Sequence, residues 1–395
     1  MEQTRPLFED SPEDVDSVET ESNEDQQPVF ATGILPTQDL LRAVHATREI
    51  RPLEPLAEDQ IQPASLDLRL GAKAYRVRAS FLPGRHSSVQ DKLDQLSMHA
   101  MDITEGAVLE RGCVYIIPLL ESLYLKHRMS ARGNPKSSTG RLDVFTRLIT
   151  DGGTEFDQVR EGYKGMLYAE VSPRTFSVLV RKGSRLSQLR IRRGAPPSSD
   201  ERHKELQREF RLVDRELSDE EIKNGVPITV DVRGRRENDY VIGYKAKNHA
   251  NLIDVDRVNY YDPVDFWDPV RAPNTHGLIL DPANFYILAS REAVKVPPRL
   301  AAEMIAYDTL VGEFRVHYAG FFDPGFGDAS AGGEGSKAVL EVRSYEVPFV
   351  IEDGQIVGRL AYERLTEAPA RLYGVGLKSN YQRQGLRLSK HFREP

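Results

Sequence analysis

The chain has 395 residues, of which 39% are hydrophobic and 29% are charged, a composition typical of soluble globular domains. No apolar run approaches the roughly 20 residues that cross a bilayer, and the acidic start is unlike a signal peptide. We therefore expect a cytoplasmic protein with no membrane partner. The single cysteine, Cys113, excludes a disulfide framework and cannot supply the cysteine pair of a zinc-dependent deaminase. No zinc and no other metal site is expected, since no two of the nine histidines fall at ligand spacing.

The negative charge is concentrated at the N-terminus. Residues 1–26 carry ten carboxylates and one arginine, a charge of -9 within a chain total of -7, which leaves +2 for the remainder. A run of like charge with few apolar residues predicts an acidic disordered tail over 1–30. The remainder shows no strongly basic character, so no nucleic acid polymer is expected as a partner.

The predicted elements divide the chain into two β-rich halves. A short helix begins near Thr37, and short alternating apolar runs broken by turn residues then continue to about residue 191, which predicts a sandwich or barrel with small helices. A proline-serine stretch and the charged segment 200–223, with apolar residues at helical spacing, predict a linker helix. The β pattern then resumes. The predicted domains are 31–195 and 227–395, joined by a linker over 196–226.

The two halves repeat each other at a constant offset of 171 residues. Tyr115 and Glu121 correspond to Tyr286 and Glu292, and the offset also relates two later glutamates, two turn glycines and two leucines. The later glutamates are Glu170 and Glu341. A period this long indicates duplication of a whole domain.

Motifs in both halves follow a recognisable order. Residues 60–71 contain a polar turn and a strand with Asp67, and residues 136–142 read Lys-Ser-Ser-Thr-Gly-Arg-Leu. Residues 322–326 read Phe-Asp-Pro-Gly-Phe, and a tail rich in polar and aromatic residues follows at 373–385. The chain resembles a tandem-duplicated long form of dCTP deaminase in the trimeric dUTPase/dCTP deaminase superfamily. The resemblance implies a mainly β fold of two tandem dUTPase-like barrel or sandwich (jelly-roll-like) domains with short helices.

The resemblance also implies roles for individual residues. Glu170 stands where the deaminases carry the glutamate that takes a proton from the water attacking C4 of cytosine. Ser137 and Arg141 would complete the catalytic set. The predicted substrate-binding residues are Lys136, Ser138, Asp67, Tyr373, Lys378, Tyr381 and Gln384. Secondary candidates for a carboxylate that activates water are Glu341, Asp323 and Asp157.

Each copy keeps only part of the motif set. The Ser-Ser turn occurs in the first copy, whereas the Asp-Pro-Gly turn occurs in the second. We therefore expect the active site to depend on first-repeat residues, with the second repeat as scaffold and the C-terminal tail closing over the nucleotide. A homotrimer is expected, with a ring of first repeats stacked on a ring of second repeats.

The predicted reaction is hydrolytic deamination of dCTP to dUTP and ammonia, a step towards dTTP, with Mg²⁺ carried on the triphosphate. The ligands expected are deoxynucleoside triphosphates: dCTP, with dUTP and dTTP as further candidates. Two alternatives stay open. The chain could be a dUTP diphosphatase or a bifunctional deaminase that yields dUMP, or it could be an inactive nucleotide-binding scaffold.

Overall fold

The computed structural model describes residues 31–196, 198–273, 277–306, 314–316, 320–344, 346–376 and 381–394. The predicted acidic tail over 1–30 lies outside these residues. Within them the protein is built mainly of β-strands arranged in two similar halves, which confirms the predicted fold class. None of the helices in these ranges is long and apolar enough to cross a membrane.

The first repeat consists mainly of two sheets. Its helices are α1 (Thr37–His45), α2 (Val89–Leu96) and α3 (Ser137–Gly140). Its strands are β1 (Gly33–Ile34), β2 (Ile50–Pro52), β3 (Leu66–Leu68), β4 (Lys73–Val77), β5 (Ser97–Asp102), β6 (Ala107–Leu109), β7 (Val114–Tyr124), β8 (Met129–Pro135), β9 (Val144–Thr150), β10 (Gln158–Val159), β11 (Lys164–Pro173), β12 (Val178–Val180) and β13 (Ser187–Arg193). One sheet has the order β1-β13-β8-β10 with β3 on β13, and the other has the order β5-β4-β7-β11-β9 with β2 on β7. Strands β6 and β12 form a small third sheet. Alternate residues of β11 enter the core because side chains alternate between the two faces of a strand.

The second repeat has the same plan. Its strands are β14 (Val226–Thr229), β15 (Val241–Ala246), β16 (Ile253–Asp254), β17 (Trp267–Arg271), β18 (Gly277–Leu280), β19 (Phe285–Val294), β20 (Leu300–Ala306), β21 (Phe314–Val316), β22 (Phe321–Phe322), β23 (Ser336–Ser344), β24 (Phe349–Glu352) and β25 (Ile356–Arg364). Short 3₁₀ helices lie at Arg236–Asn238, Pro263–Asp265 and Ala329–Ala331. The sheets have the orders β14-β25-β20-β22 and β17-β15-β19-β23-β21, with β18 and β24 as a separate pair. Strand β16 instead joins β12 of the first repeat in parallel.

The offset of 171 residues holds for whole strands. Strands β8 and β20 occupy the same seven positions of their repeats, and β7 and β19 begin at Val114 and Phe285. The structure therefore confirms the duplication predicted from the sequence.

Equivalent positions of the two repeats also contact each other. Arg132 forms an ion pair with Glu303 at 2.9 Å, and Arg192 pairs with Glu363. Both pairs join residues separated by 171 positions. The repeats thus meet through corresponding strands, with arginines on one side and glutamates at the equivalent positions of the other.

The linker contains one helix, α4 (Asp200–Phe210), which is shorter than the charged segment that predicted it. The Ser199 hydroxyl accepts a hydrogen bond from the first turn, and the helix ends because Arg211 adopts a left-handed conformation (φ 49°). The helix is fixed to the second repeat, because the Tyr362 backbone N–H donates to Nε2 of buried His203 at 2.9 Å.

Candidate active site

A pocket between the two repeats gathers most of the sequence-predicted site residues. The first repeat contributes Asp67, Lys136, Ser137, Ser138 and Arg141. The second repeat and the C-terminal segment contribute Asp323, Glu341, Tyr373, Tyr381 and Gln384. Both halves of the duplication therefore build one site, and the second repeat supplies more than the scaffold and tail expected of it.

The Ser-Ser turn forms where strand β8 ends at Pro135. Lys136 stays extended and its N–H donates to the Leu186 carbonyl at 2.9 Å, after which the chain enters the single turn α3. Ser138 is buried, whereas Ser137 is half-buried and its side chain lines the pocket. The short turn thus presents small hydroxyls and a cationic side chain to the same cavity, the combination that suits a phosphate group.

Basic residues surround one part of this pocket. Lys136 forms an ion pair with buried Asp67 on β3, and Nη1 of Arg185 lies 3.7 Å from the same carboxylate. Arg185 also pairs with Asp59 at 2.9 Å, and Lys390 lines the pocket nearby. Burial, together with the neighbouring cations, lowers the pKa of Lys390. This concentration of cations favours an anionic ligand.

Glu341 provides a carboxyl group inside the pocket. It lies on β23 opposite Ile287 of β19, and its side chain is almost fully buried. Burial raises the pKa of Glu341 to about 8, against the opposing influence of Arg141. Arg141 Nε lies 3.9 Å from the Glu341 carboxyl. A carboxyl group with a pKa in this range is suited to both accept and release a proton near neutral pH.

Arg141 is held on several sides by the C-terminal segment. Its guanidinium donates to the Arg387 carbonyl at 3.0 Å and to Gln384 Oε1 at 3.0 Å. It also stacks on the Tyr381 ring, with 3.9 Å between the guanidinium carbon and the ring centroid. One face of the Tyr381 ring is therefore covered by the Arg141 guanidinium. Gln384 accepts from Arg141 through Oε1, and its amide nitrogen donates to the Lys337 carbonyl at 2.9 Å.

The Asp-Pro-Gly turn brings a second carboxyl group into the pocket. Asp323 pairs with Arg190 of the first repeat at 3.1 Å and accepts a hydrogen bond from the Ser65 hydroxyl at 3.4 Å. Burial raises its pKa, and the arginine opposes that shift. Tyr373 lies beside this turn, because its N–H donates to the Pro324 carbonyl at 2.8 Å.

Glu170 lies elsewhere, in the interior of the first repeat. It faces Arg147 in the adjacent strand β9, and Arg147 Nη2 donates to its carboxylate at 2.8 Å. The same guanidinium covers the Phe156 ring at 3.6 Å. Glu170 therefore does not line the pocket with Ser137. Its carboxylate is paired with Arg147 of the neighbouring strand.

Asp157 is also remote from the pocket. Its carboxylate accepts a hydrogen bond from the Leu148 N–H at 2.7 Å, and burial raises its pKa to about 7. It bonds within the first repeat and does not line the pocket. Lys378, the remaining predicted residue, lies outside the described residues.

Five polar pocket residues were not predicted as ligands: Asp59, Gln62, Arg185, Gln188 and Lys390. Arg185 lies just before strand β13 and Gln188 lies within it, and none of the motifs described above includes either residue. Lys390 follows the recognised tail motif, and only the path of the folded chain brings it back to Lys136.

Comparisons with known proteins identify the family of this chain. A family model described as the N-terminal domain of 2'-deoxycytidine 5'-triphosphate deaminase matches residues 31–195, and one described as its C-terminal domain matches residues 199–392. The crystal structure of 2'-deoxycytidine 5'-triphosphate deaminase from Agrobacterium tumefaciens shares 55% sequence identity with the chain at a TM-score of 0.80. That match covers 85% of this chain and 99% of the other.

Curated relatives match less of the chain. A dCTP deaminase of Halorubrum lacusprofundi is 30% identical over 159 residues, which is 40% of this chain and 75% of the relative. A Parafrankia protein described as a dUMP-forming dCTP deaminase is 31% identical over 150 residues, which is 37% of this chain and 70% of the relative. Together with the family matches, these similarities confirm the resemblance inferred from the motifs.

Proposed function

Because this chain belongs to the dCTP deaminase family, we propose that it converts dCTP and water to dUTP and ammonia in the pocket between its repeats. The observation that carries the proposal is the position of Glu341 beside Arg141, in the same cavity as the Ser-Ser turn. A proton-transferring carboxyl group and an anion-binding turn are the two parts that deamination of a nucleoside triphosphate requires.

In the proposed mechanism Glu341 takes the place first predicted for Glu170. As a carboxylate it removes one proton from the water that attacks C4 of cytosine, and it delivers that proton to N3. It then moves the hydroxyl proton of the tetrahedral intermediate to the amino group, so that the C4–N4 bond breaks and ammonia leaves. Arg141 favours the carboxylate form through its positive charge.

The other pocket residues would bind the substrate. Lys136, Ser137 and Ser138 are placed to hold phosphate oxygens, with Arg185 adding positive charge at that end of the pocket. Mg²⁺ bound to the triphosphate enters as part of the substrate in this proposal. Tyr373 lines the opposite, second-repeat side of the pocket near Asp323 and is a candidate for contact with the sugar or base.

A second reaction is favoured by Asp323. This carboxyl group lines the same pocket and is close enough to Asp67 for the two charges to interact, so it lies towards the cationic part of the pocket. A carboxylate there could activate water against a phosphorus atom of dUTP before the product leaves. The relative described as dUMP-forming makes this bifunctional outcome a specific alternative.

One assay separates the candidate functions. The protein is incubated with dCTP and, separately, with dUTP in the presence of Mg²⁺, and ammonia, pyrophosphate and the nucleotide products are measured. Ammonia with dUTP supports the deaminase, ammonia with dUMP and pyrophosphate supports the bifunctional enzyme, and pyrophosphate from dUTP alone supports a diphosphatase. Binding of dCTP without any product would support an inactive scaffold.

We also retain a homotrimer and a cytoplasmic location as proposals. In one chain the two repeats already meet across the pocket. The proposed trimer concerns how three such chains assemble. Light scattering coupled to gel filtration measures it directly, and a mass of one chain would contradict it.

A further inference from the structure

Phe392, close to the end of the sequence, is buried in an aromatic cluster. The Phe392 ring lies with its centroid 5.3 Å from Phe266, 5.9 Å from Trp267 and 6.3 Å from Tyr261. Phe176 of the first repeat completes the cluster, with its centroid 5.5 Å from that of Trp267. We call Tyr261, Phe266, Trp267 and Phe176 the aromatic socket; the first three contact the Phe392 ring, and Phe176 packs behind them on Phe266 and Trp267. They come from both repeats, so the C-terminus is packed where the two repeats meet.

Backbone hydrogen bonds hold the same segment in place. The N–H groups of Tyr260 and Tyr261 donate to the His391 carbonyl at 2.9 and 3.0 Å. The Asn259 N–H donates to the Lys390 carbonyl at 2.8 Å, and the Arg393 N–H donates to the Tyr261 carbonyl at 2.9 Å. A segment fixed by main-chain bonds on both sides of a buried ring is docked, and it is not a free tail.

The docked segment contacts the Ser-Ser turn directly. The Ser389 hydroxyl donates to the Ser138 carbonyl at 2.7 Å, and Ser389 also lies 2.8 Å from Nδ1 of buried His391. Two residues earlier, the Arg387 carbonyl accepts from Arg141 at 3.0 Å. Five consecutive residues therefore connect the aromatic socket to the Ser-Ser turn and to the arginine beside Glu341.

We propose that Phe392 is a positioning residue for the reaction. By filling the aromatic socket it holds 387–391 against Ser138 and Arg141, so these groups reach their working positions before a nucleotide binds. The sequence led us to expect a tail that closes over bound nucleotide, whereas this end of it is anchored in advance. The inference rests on the proposed function for the identity of the reaction, but the docking itself does not depend on it.

The only tryptophan of the chain, Trp267, is part of the socket and is buried, so its fluorescence reports docking. We expect Phe392→Ala to shift Trp267 emission to longer wavelength and to lower kcat for dCTP about tenfold or more, because misplaced catalytic groups lose orientation. Phe392→Leu should recover much of both signals. Arg393→Ala is the matched control, since that side chain is exposed, and it should change neither signal.

A second variant separates positioning from general stability. Ser389→Ala leaves Phe392 in the socket, so Trp267 emission should stay at the wild-type value while kcat falls. If Phe392→Ala exposes Trp267 but turnover is unchanged, the proposal is overturned. It is also overturned if dCTP added to the wild-type protein shifts Trp267 emission, which would mean that the segment docks only after binding. If Phe392→Ala does not fold, an unchanged kcat in Ser389→Ala is by itself enough to overturn the proposal.

Failure of the proposed reaction would be visible separately. If the wild-type protein releases no ammonia from dCTP, the proposed function fails. Affinity for dCTP, measured by isothermal titration calorimetry on the wild type, Phe392→Ala and Arg393→Ala, then tests the anchor without turnover. Weaker binding in Phe392→Ala alone supports the anchor, and equal affinity in all three proteins contradicts it.

Discussion

Arg141 of the first repeat lies 3.9 Å from the Glu341 carboxyl of the second repeat. This contact gives a physical meaning to the uneven motifs of the two copies. The first copy keeps the Ser-Ser turn and the arginine, whereas the second keeps the glutamate that faces them. Glu170, the equivalent of Glu341, pairs instead with Arg147 inside its own sheet. Duplication thus allowed each copy to keep one side of a shared pocket.

Glu341→Gln should remove deamination while preserving the fold. The amide keeps the size of the side chain but does not take a proton from water, so we expect kcat for ammonia release to fall about 10²- to 10⁴-fold. Binding of dCTP, measured by calorimetry, should change little, because the Ser-Ser turn, which we propose holds the phosphates, is intact. Steady-state ammonia release is the decisive measurement.

Glu170→Gln is the matched control for that experiment. It makes the same chemical change at the equivalent position of the first repeat, but it weakens the buried ion pair with Arg147. We therefore expect a lower melting temperature with ammonia release close to the wild-type rate. A fully active Glu341→Gln protein together with an inactive, folded Glu170→Gln protein would return the catalytic role to the first repeat.

The reaction should depend on the ionisation of Glu341. Burial raises its pKa to about 8, so the carboxylate that we propose as the base is the minor form at neutral pH. We expect kcat/KM for dCTP to rise about tenfold per pH unit below that pKa and to level off above it. Ammonia release at low dCTP concentration across about pH 6 to 9.5 tests this. A profile that stays flat across that interval would be inconsistent with Glu341 as the base.

The same group should make stability depend on pH. In the unfolded chain a glutamate loses its proton near pH 4.3, whereas in the folded protein Glu341 keeps it up to about pH 8. The folded state therefore loses stability relative to the unfolded state as pH rises between these values, by at most about 1.4 kcal/mol per pH unit. Glu341→Gln has no such loss, so its advantage in melting temperature should be small at pH 4 and largest near pH 8. An advantage independent of pH would indicate another cause.

The sequence predicted the duplication and several residues of the first-repeat side of the pocket, because local motifs and a constant offset need no knowledge of packing. Asp67, Lys136, Ser137 and Arg141 all line the pocket as expected. The choice between Glu170 and Glu341 could not be made this way. Both glutamates occupy the same position of their strands, and only the packing of the second repeat onto the first brings Glu341 to Arg141 and leaves Glu170 with Arg147.

Arg192 and Glu363 allow the contact between the repeats to be tested on its own. They occupy equivalent positions, and both side chains are partly buried where the repeats meet. Arg192→Glu would place two carboxylates opposite each other and Glu363→Arg two guanidinium groups, so each single change should lower the free energy of unfolding by about 1 kcal/mol. The double swap restores opposite charges, and it should recover most of that loss in urea unfolding experiments.

The swap also bears on which repeats associate. Between two identical copies of the first repeat the same face would set Arg192 against Arg192, so the charge pattern favours contact between unlike repeats. In the single variants the two repeats should separate at lower urea concentration, so far-UV circular dichroism and Trp267 fluorescence should give different unfolding midpoints. In the wild type and the double swap the two midpoints should coincide. If the losses of the two single changes simply add in the double variant, Arg192 and Glu363 do not interact across the contact, and the repeats are held together by other groups.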